Sequence, residues 1–262
     1  MLNKIIILQA LFFFFVLSSK AQEIPKLMEM EHEMTEVWEP EVKVITPGDK
    51  YGDAPSDAII LFDGTNLDEW VNENDSLPQW PVKKGAVTVV KRGKGIKGPA
   101  LIKTKRKFGS VQLHIEWRTP AKVNGDSQKR GNSGVIFCDG QYEVQILDSY
   151  NNRTYKNGQA ASIYKQYAPL VNACKGPGEW QTYDIIFKAP HFKEDGNYLV
   201  PPVFTVLHNG VLVQHAVKLR GPCVFVGIPE YQIKKHDKGS IILQNHGKPV
   251  SYRNVWVREL TL

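Results

Sequence analysis

From about Ser56 onward the chain is written in short apolar runs, each stopped by residues that turn a backbone. Ala58-Ile59-Ile60-Leu61-Phe62 stops at Asp63-Gly64, Ala86-Val87-Thr88-Val89-Val90 at Lys91 to Gly95, and Gly134-Val135-Ile136-Phe137 at Cys138-Asp139-Gly140. Runs this short and this rich in β-branched and aromatic residues predict strands rather than helices. Phe204 to His208 faces Val211 to Gln214 across Asn209-Gly210, a pair that tolerates positive φ at both centres of a tight hairpin turn. Val255 to Leu260 closes the series. Many strands in one body of roughly 200 residues, without a repeat or a dividing linker, predict an all-β fold: a two-sheet antiparallel β-sandwich over residues 56–262.

Several of these strands carry chemistry on one face. Side chains alternate across a strand, so Glu143 and Gln145 share one side of Tyr142 to Ile146 while Val144 and Ile146 share the other. In Val111 to Arg118, one parity holds Leu113, Ile115 and Trp117, and the other holds Gln112, His114, Glu116 and Arg118. Gln244 and His246 share a side of Ile241 to His246, and Asp184 lies opposite Tyr183, Ile185 and Phe187. A merely wet sheet surface carries more Lys, Ser and Thr, so these faces predict a polar binding cleft. Two long polar loops, 119–133 and 148–180, bring Asn132, Tyr164 and Trp180, residue types suited to stacking on sugar rings and bonding their hydroxyls.

The start of the chain reads as an export signal over residues 1–21. Lys4 precedes an apolar run from Ile5 to Leu17, and Ser19-Lys20-Ala21 is a small-x-small cleavage site. The expected location is periplasmic or extracellular, with no stable membrane span after cleavage. Residues 22–55 begin with seven Glu against one Lys up to Glu41, and read as an acidic, flexible leader. The net charge is nevertheless +6, with Lys103, Lys105, Arg106 and Lys107 close together. Without a nucleic-acid motif, that cluster reads as a solvated strand edge, and no nucleic-acid partner is expected. No dinucleotide or nucleotide-phosphate loop is present, nor a Cys-x-x-Cys or His-Glu-x-x-His zinc motif. Cys138, Cys174 and Cys223 allow at most one disulfide. No cofactor is required, a divalent metal held by Glu143, His246 and Glu116 is one option, and the oligomeric state stays open.

Leu61-Phe62-Asp63-Gly64-Thr65-Asn66-Leu67-Asp68-Glu69-Trp70 resembles the opening signature of the 3-keto-disaccharide hydrolase domain family. So do Glu116-Trp117-Arg118, Gly131 to Val135, Tyr142 to Tyr150, Gly178 to Asp184, His208 to Val211, Gln244 to Gly247 and Tyr252 to Trp256, in order from Ala58 to Leu262. The resemblance implies a jelly roll of the concanavalin A-like lectin and glucanase type, and an exported enzyme acting on glycosides oxidised at C3. Asn245 stands where the resemblance leads one to expect Asp. A C3 ketone acidifies the C2 hydrogen, so a base can remove it and the C1 substituent can then leave; water addition completes hydrolysis. Glu143 is the first choice for base and His246 or Glu116 for acid. Arg118 and Gln145 would hold the enolate or a hydroxyl. His114, Asn132, Tyr164, Trp180, Asp184, Gln244 and Arg253 complete the candidate carbohydrate contacts. The alternative is a non-catalytic, lectin-like carbohydrate-binding module.

Overall fold

The computed structural model describes residues 30–90, 101–229 and 235–261. The export-signal segment 1–21 and the first part of the acidic leader lie outside them. Residues 30–43 contain one 3-10 turn, His32–Thr35, and belong to a separate unit. The body runs from Val44 to Leu262, so it begins earlier than the apolar pattern predicted.

The body is built from two antiparallel sheets. The larger has the order β13 (Val211–Lys218), β12 (Val203–His208), β9 (Gln181–Lys188), β6 (Val111–Arg118), β15 (Ser251–Glu259), β4 (Ala86–Thr88), β3 (Val82–Lys83), with β1 (Ile59–Phe62) also paired to β15. The smaller runs β2 (Trp70–Asn72), β5 (Leu101–Thr104), β14 (Ile242–Gln244), β7 (Ser133–Phe137), β8 (Tyr142–Ile146). A separate ribbon pairs β10 (His191–Phe192) with β11 (Tyr198–Val200). The β12–β13 hairpin pairs His208 with Val211, and Asn209 and Gly210 both take positive φ, +53° and +79°. That is the turn the Asn-Gly pair predicts.

The sheets face each other across one core. Phe137 on β7 packs its ring 4.9 Å from Phe187 and 5.3 Å from Phe204, and Tyr142 on β8 lies 5.9 Å from Phe187. The Tyr183 hydroxyl crosses the layer to donate to the Gln145 carbonyl at 2.8 Å, while Ser133 Oγ and Tyr252 Oη meet at 2.6 Å. Strand parity therefore has a definite meaning here. Ile115 and Trp117 point inward on β6 and Val144 and Ile146 point inward on β8, so Glu116 and Glu143 point outward from opposite sheets.

Two outer surfaces are partly roofed. Residues 44–57 strap across the outside of the larger sheet, where the Gly52 carbonyl accepts from Asn254 Nδ2 and Trp256 Nε1, both at 2.8 Å. On the smaller sheet, the free edge of β8 is covered by residues 161–164: Gln145 N donates to the Ser162 carbonyl, Ala161 N to the Gln145 carbonyl and Tyr164 N to the Glu143 carbonyl. Strand edges left open template association, and this one is closed by its own chain. Three of the four basic residues near β5 have an acid: Lys103 pairs with Asp75, Arg106 with Glu259 and Lys107 with Asp139. All three cysteines are free thiols.

Candidate active site

The roofing of β8 converts an outward strand face into a hollow of about 330 Å³. Glu143 and Gln145 rise from β8, Gln244 from β14, and His246 from the turn after it. Asn132 precedes β7, while Gln128, Tyr155 and Tyr164 come from the two long polar loops, and Cys223 and Phe225 from a later segment. A volume of this order suits one or two sugar-sized units.

Glu143 is the most perturbed acid of this group. It is 9 % exposed, and burial pushes its carboxyl up to about 7, because a charge in a low-dielectric site loses its hydration. Among the described residues no lysine or arginine lines the hollow to oppose that effect. Space for the carboxylate comes from Gly134 on β7, where a Cβ would stand 2.3 Å from Glu143 Oε1. The Gln145 amide has two uses. In one orientation it donates to Gln128 Oε1 at 3.0 Å; turned over, it donates to Glu143 Oε1 and to the Ser133 carbonyl, both at 3.1 Å. Gln128 is itself fixed by donating to Thr154 Oγ1 at 2.9 Å and to the Gly158 carbonyl at 2.8 Å.

The other groups supply donors and acceptors. Tyr164 is held protonated well above the ordinary phenol range, first by burial and then by the 3.1 Å contact with the Tyr155 hydroxyl. Cys223 is likewise pushed up to about 12 by burial, so its thiol is a packing and bonding group, accepting from Glu143 N at 3.3 Å. Asn132 Oδ1 and Gln244 Oε1 are buried without a hydrogen-bond partner among the described residues, a situation that costs about 1–3 kcal/mol each until a donor arrives.

The expected single cleft forms from half of the named residues. Glu143, Gln145, Asn132, Tyr164, Gln244 and His246 share the hollow. Glu116, Arg118, His114, Trp180, Asp184 and Arg253 do not. They belong to the outside of the larger sheet, because parity along a strand fixes the face and says nothing about which sheet owns it. There, Arg253 Nε bonds Glu116 Oε2 at 2.6 Å and Asn254 Nδ2 bonds Glu116 Oε1 at 3.0 Å. Arg118 and Arg253 lie 4.6 and 4.2 Å from the Trp180 ring. His114 Nδ1 meets Asp184 Oδ1 at 2.7 Å, Tyr51 donates to Asp184 Oδ2 at 2.5 Å, and the His114 ring stacks on Trp256. The Tyr51 bond to Asp184, with the Gly52 bonds to Asn254 and Trp256, anchors the strap.

Glu116 therefore does not serve as an acid beside Glu143, and the trio Glu143, His246 and Glu116 does not form a metal cradle. Among the described residues no three His, Cys, Asp or Glu side chains converge on a metal-sized point. Asn245 is 3 % exposed, accepts from Gly247 N at 2.6 Å and donates to the Val90 carbonyl at 3.3 Å. An Asp there would lack that donor. Gln128, Tyr155, Cys223, Phe225 and Gly134 were not singled out from sequence. The first two sit in the long polar loops, and Gly134 lies within the motif Gly131 to Val135; Cys223 entered only as a possible disulfide partner, and no signal marks Phe225.

The 3-keto-alpha-glucoside-1,2-lyase-like domain model matches residues 57–258. A crystal structure from Parabacteroides distasonis ATCC 8503, provisionally assigned as a glycosyl hydrolase, is 50 % identical and superposes with a TM-score of 0.80 over 88 % of this chain and 97 % of its own. Two further structures from that organism, with the same provisional assignment, share the fold. One has 18 % identity and a TM-score of 0.56, over 78 % of this chain and 94 % of its own. The other has 20 % identity and a TM-score of 0.53, over 78 % and 99 % respectively. No curated protein sequence matches the chain. With the family model covering almost the whole two-sheet body, the chain belongs to the 3-keto-alpha-glucoside-1,2-lyase-like domain family.

Proposed function

We propose that this glycoside hydrolase-like, carbohydrate-active protein cleaves glycosides whose sugar carries a ketone at C3, with Glu143 as the base. The carrying observation is the Glu143 carboxyl, dry, pushed up to about 7 and set among amide, phenol and imidazole side chains in a sugar-sized hollow. A carboxylate of that basicity suits removal of a C2 hydrogen made acidic by the neighbouring ketone. The electron pair of the broken C2–H bond moves into C2–C3 and charges the ketone oxygen. Its return expels the C1 oxygen, leaving a C1–C2 double bond conjugated to the ketone. The departing oxygen takes a proton from His246, and Tyr164, held protonated, donates to the charged oxygen or a ring hydroxyl. Asn132 Oδ1 and Gln244 Oε1 accept from sugar hydroxyls. Water added across the enone completes hydrolysis. An ordinary glycosidase would attack C1 with paired carboxylates, and among the described residues Glu143 is the only Asp or Glu lining this hollow.

The sequence of Lys4, the apolar run Ile5 to Leu17 and Ser19-Lys20-Ala21 supports work outside the cytoplasm. The test pairs a nitrophenyl 3-keto-glucoside with the matching glucoside, using the wild type and Glu143→Gln. Release from the keto substrate alone, abolished in the variant while binding persists, is the expected result. Binding without release by the wild type would make the protein a lectin-like module and end the proposal.

A further inference from the structure

We propose that a second hollow, next to the first, binds an anionic sugar unit of the substrate: one bearing a carboxylate or a sulfate ester. The inference rests on reading the first hollow as the cleavage site and names what lies beside the scissile bond. The second hollow, of about 310 Å³, is lined among the described residues by Lys122, Lys129, Arg130 and Lys248 against a single acid, Asp148. Arg130 is committed to that acid, with Nε and Nη2 on Asp148 Oδ2 at 2.9 and 2.5 Å, and the pair is nearly dry. Lys122, Lys129 and Lys248 make no ion pair among the described residues. Lys103, Arg106 and Lys107 each have an acid, whereas Lys105 and other surface lysines have none among the described residues, so what sets Lys122, Lys129 and Lys248 apart is that they converge on one concavity. Three uncompensated ammonium groups around one concavity therefore mark a place where a negative charge is brought by the ligand.

The two hollows are lined by neighbours in the chain. Gly131 lines the second and Asn132 the first, and Gly247 lines the second while His246 lines the first. Neighbouring Cα atoms stand about 3.8 Å apart, so the linings of the two hollows approach within one residue, and the proposal seats the charged unit in the second while its neighbour is cleaved in the first. Pro120, Val123 and Pro249 add apolar surface for the C–H face of a sugar ring, leaving the lysines to meet its charged substituent. Gly131 lets the chain pass close to Thr119 in the lining of the second hollow: its φ is +57° and a Cβ would stand 2.5 Å from Thr119 Cγ2.

The test measures calorimetric binding of three probes to the full chain at low and high salt: maltose, maltose with its non-reducing C6 oxidised to a carboxylate, and maltose carrying a 6-O-sulfate there. An anionic probe should bind about tenfold tighter than maltose at low salt, with the gap closing at high salt. The triple variant Lys122→Gln, Lys129→Gln, Lys248→Gln should erase the gap and keep maltose binding. Whichever anionic probe wins identifies carboxylate or sulfate as the natural group. Equal binding of all three probes, or a gap that survives in the triple variant, overturns the proposal. Failure of the 3-keto-glucoside to turn over, with the anionic preference intact, counts against the cleavage reading and for this subsite.

Discussion

Replacing Gly134 with alanine places one methyl group directly beneath the Glu143 carboxylate. The new Cβ would stand 2.3 Å from Oε1, 3.0 Å from Cδ and 3.1 Å from Cγ. Ordinary contact begins near 3.4 Å, so the oxygen must retreat by about 1.1 Å. The backbone at 134 lies in a strand without positive φ, so alanine fits it and should return about 0.5–1 kcal/mol of chain entropy. The expected outcome is a protein as stable as the parent or slightly more so, with kcat on a 3-keto-glucoside lowered about 100-fold, the usual effect of a misplacement near 1 Å. Thermal unfolding and steady-state kinetics on the same preparations read both numbers. Gly109→Ala is the control, because its Cβ would meet nothing nearer than Lys238 Cγ at 3.7 Å. Wild-type turnover in Gly134→Ala would refute the placement of Glu143 as the reacting base.

Other consequences follow from buried groups. Burial raises Glu143 from 4.5 to about 7, so the folded state holds a proton that the unfolded chain releases. Its contribution is fully present below 4.5, is lost between 4.5 and about 7, and amounts to about 3 kcal/mol at most; Glu143→Gln should remove that slope, and turnover by the wild type should rise as pH passes about 7, where the folded-state carboxyl loses its proton. His208 runs the other way. Burial lowers it to about 3, so it contributes stability above 6.5 that is lost as pH falls toward 3, and acid titration of His208→Gln should show a shallower loss. Asn245→Asp replaces the donor to the Val90 carbonyl with an acceptor and should cost about 1–3 kcal/mol by denaturant unfolding. Trp256→Phe removes the 2.8 Å bond to the Gly52 carbonyl and should cost about 1 kcal/mol, with hydrogen exchange speeding up over residues 44–57 if the strap is held as described.

Local pattern carried much of the fold. Val111 to Arg118 forms β6 over those same residues, and the Asn209-Gly210 turn falls where the dipeptide requires. Strands as short as β3 and β10, two residues each, have no periodicity to detect. The strap escaped notice for a different reason. Thr46 to Ser56 is polar, and it is held by side-chain bonds such as Thr46 N to Ser56 Oγ and Lys50 N to Asp53 Oδ2, not by an apolar stripe. The site divided along the same line. Alternation set Glu143 beside Gln145 and Glu116 beside Arg118, yet the assignment of each strand to a sheet depends on pairings between residues far apart in the chain. Ile136 opposite Glu143 and Arg253 opposite Glu116 are such pairings, and they separate the two acids.

The segment from Ala161 to Tyr164 has a double consequence. It denies β8 to any passing strand and, through the bond from Tyr164 N to the Glu143 carbonyl, sets Tyr164 in the lining of the hollow that holds Glu143. Peeling it back would make the protein adhesive and the acid ordinary in a single event. Solubility and reactivity are thus tied to one latch, and a variant that loosens it should aggregate sooner and lose its near-neutral titration together.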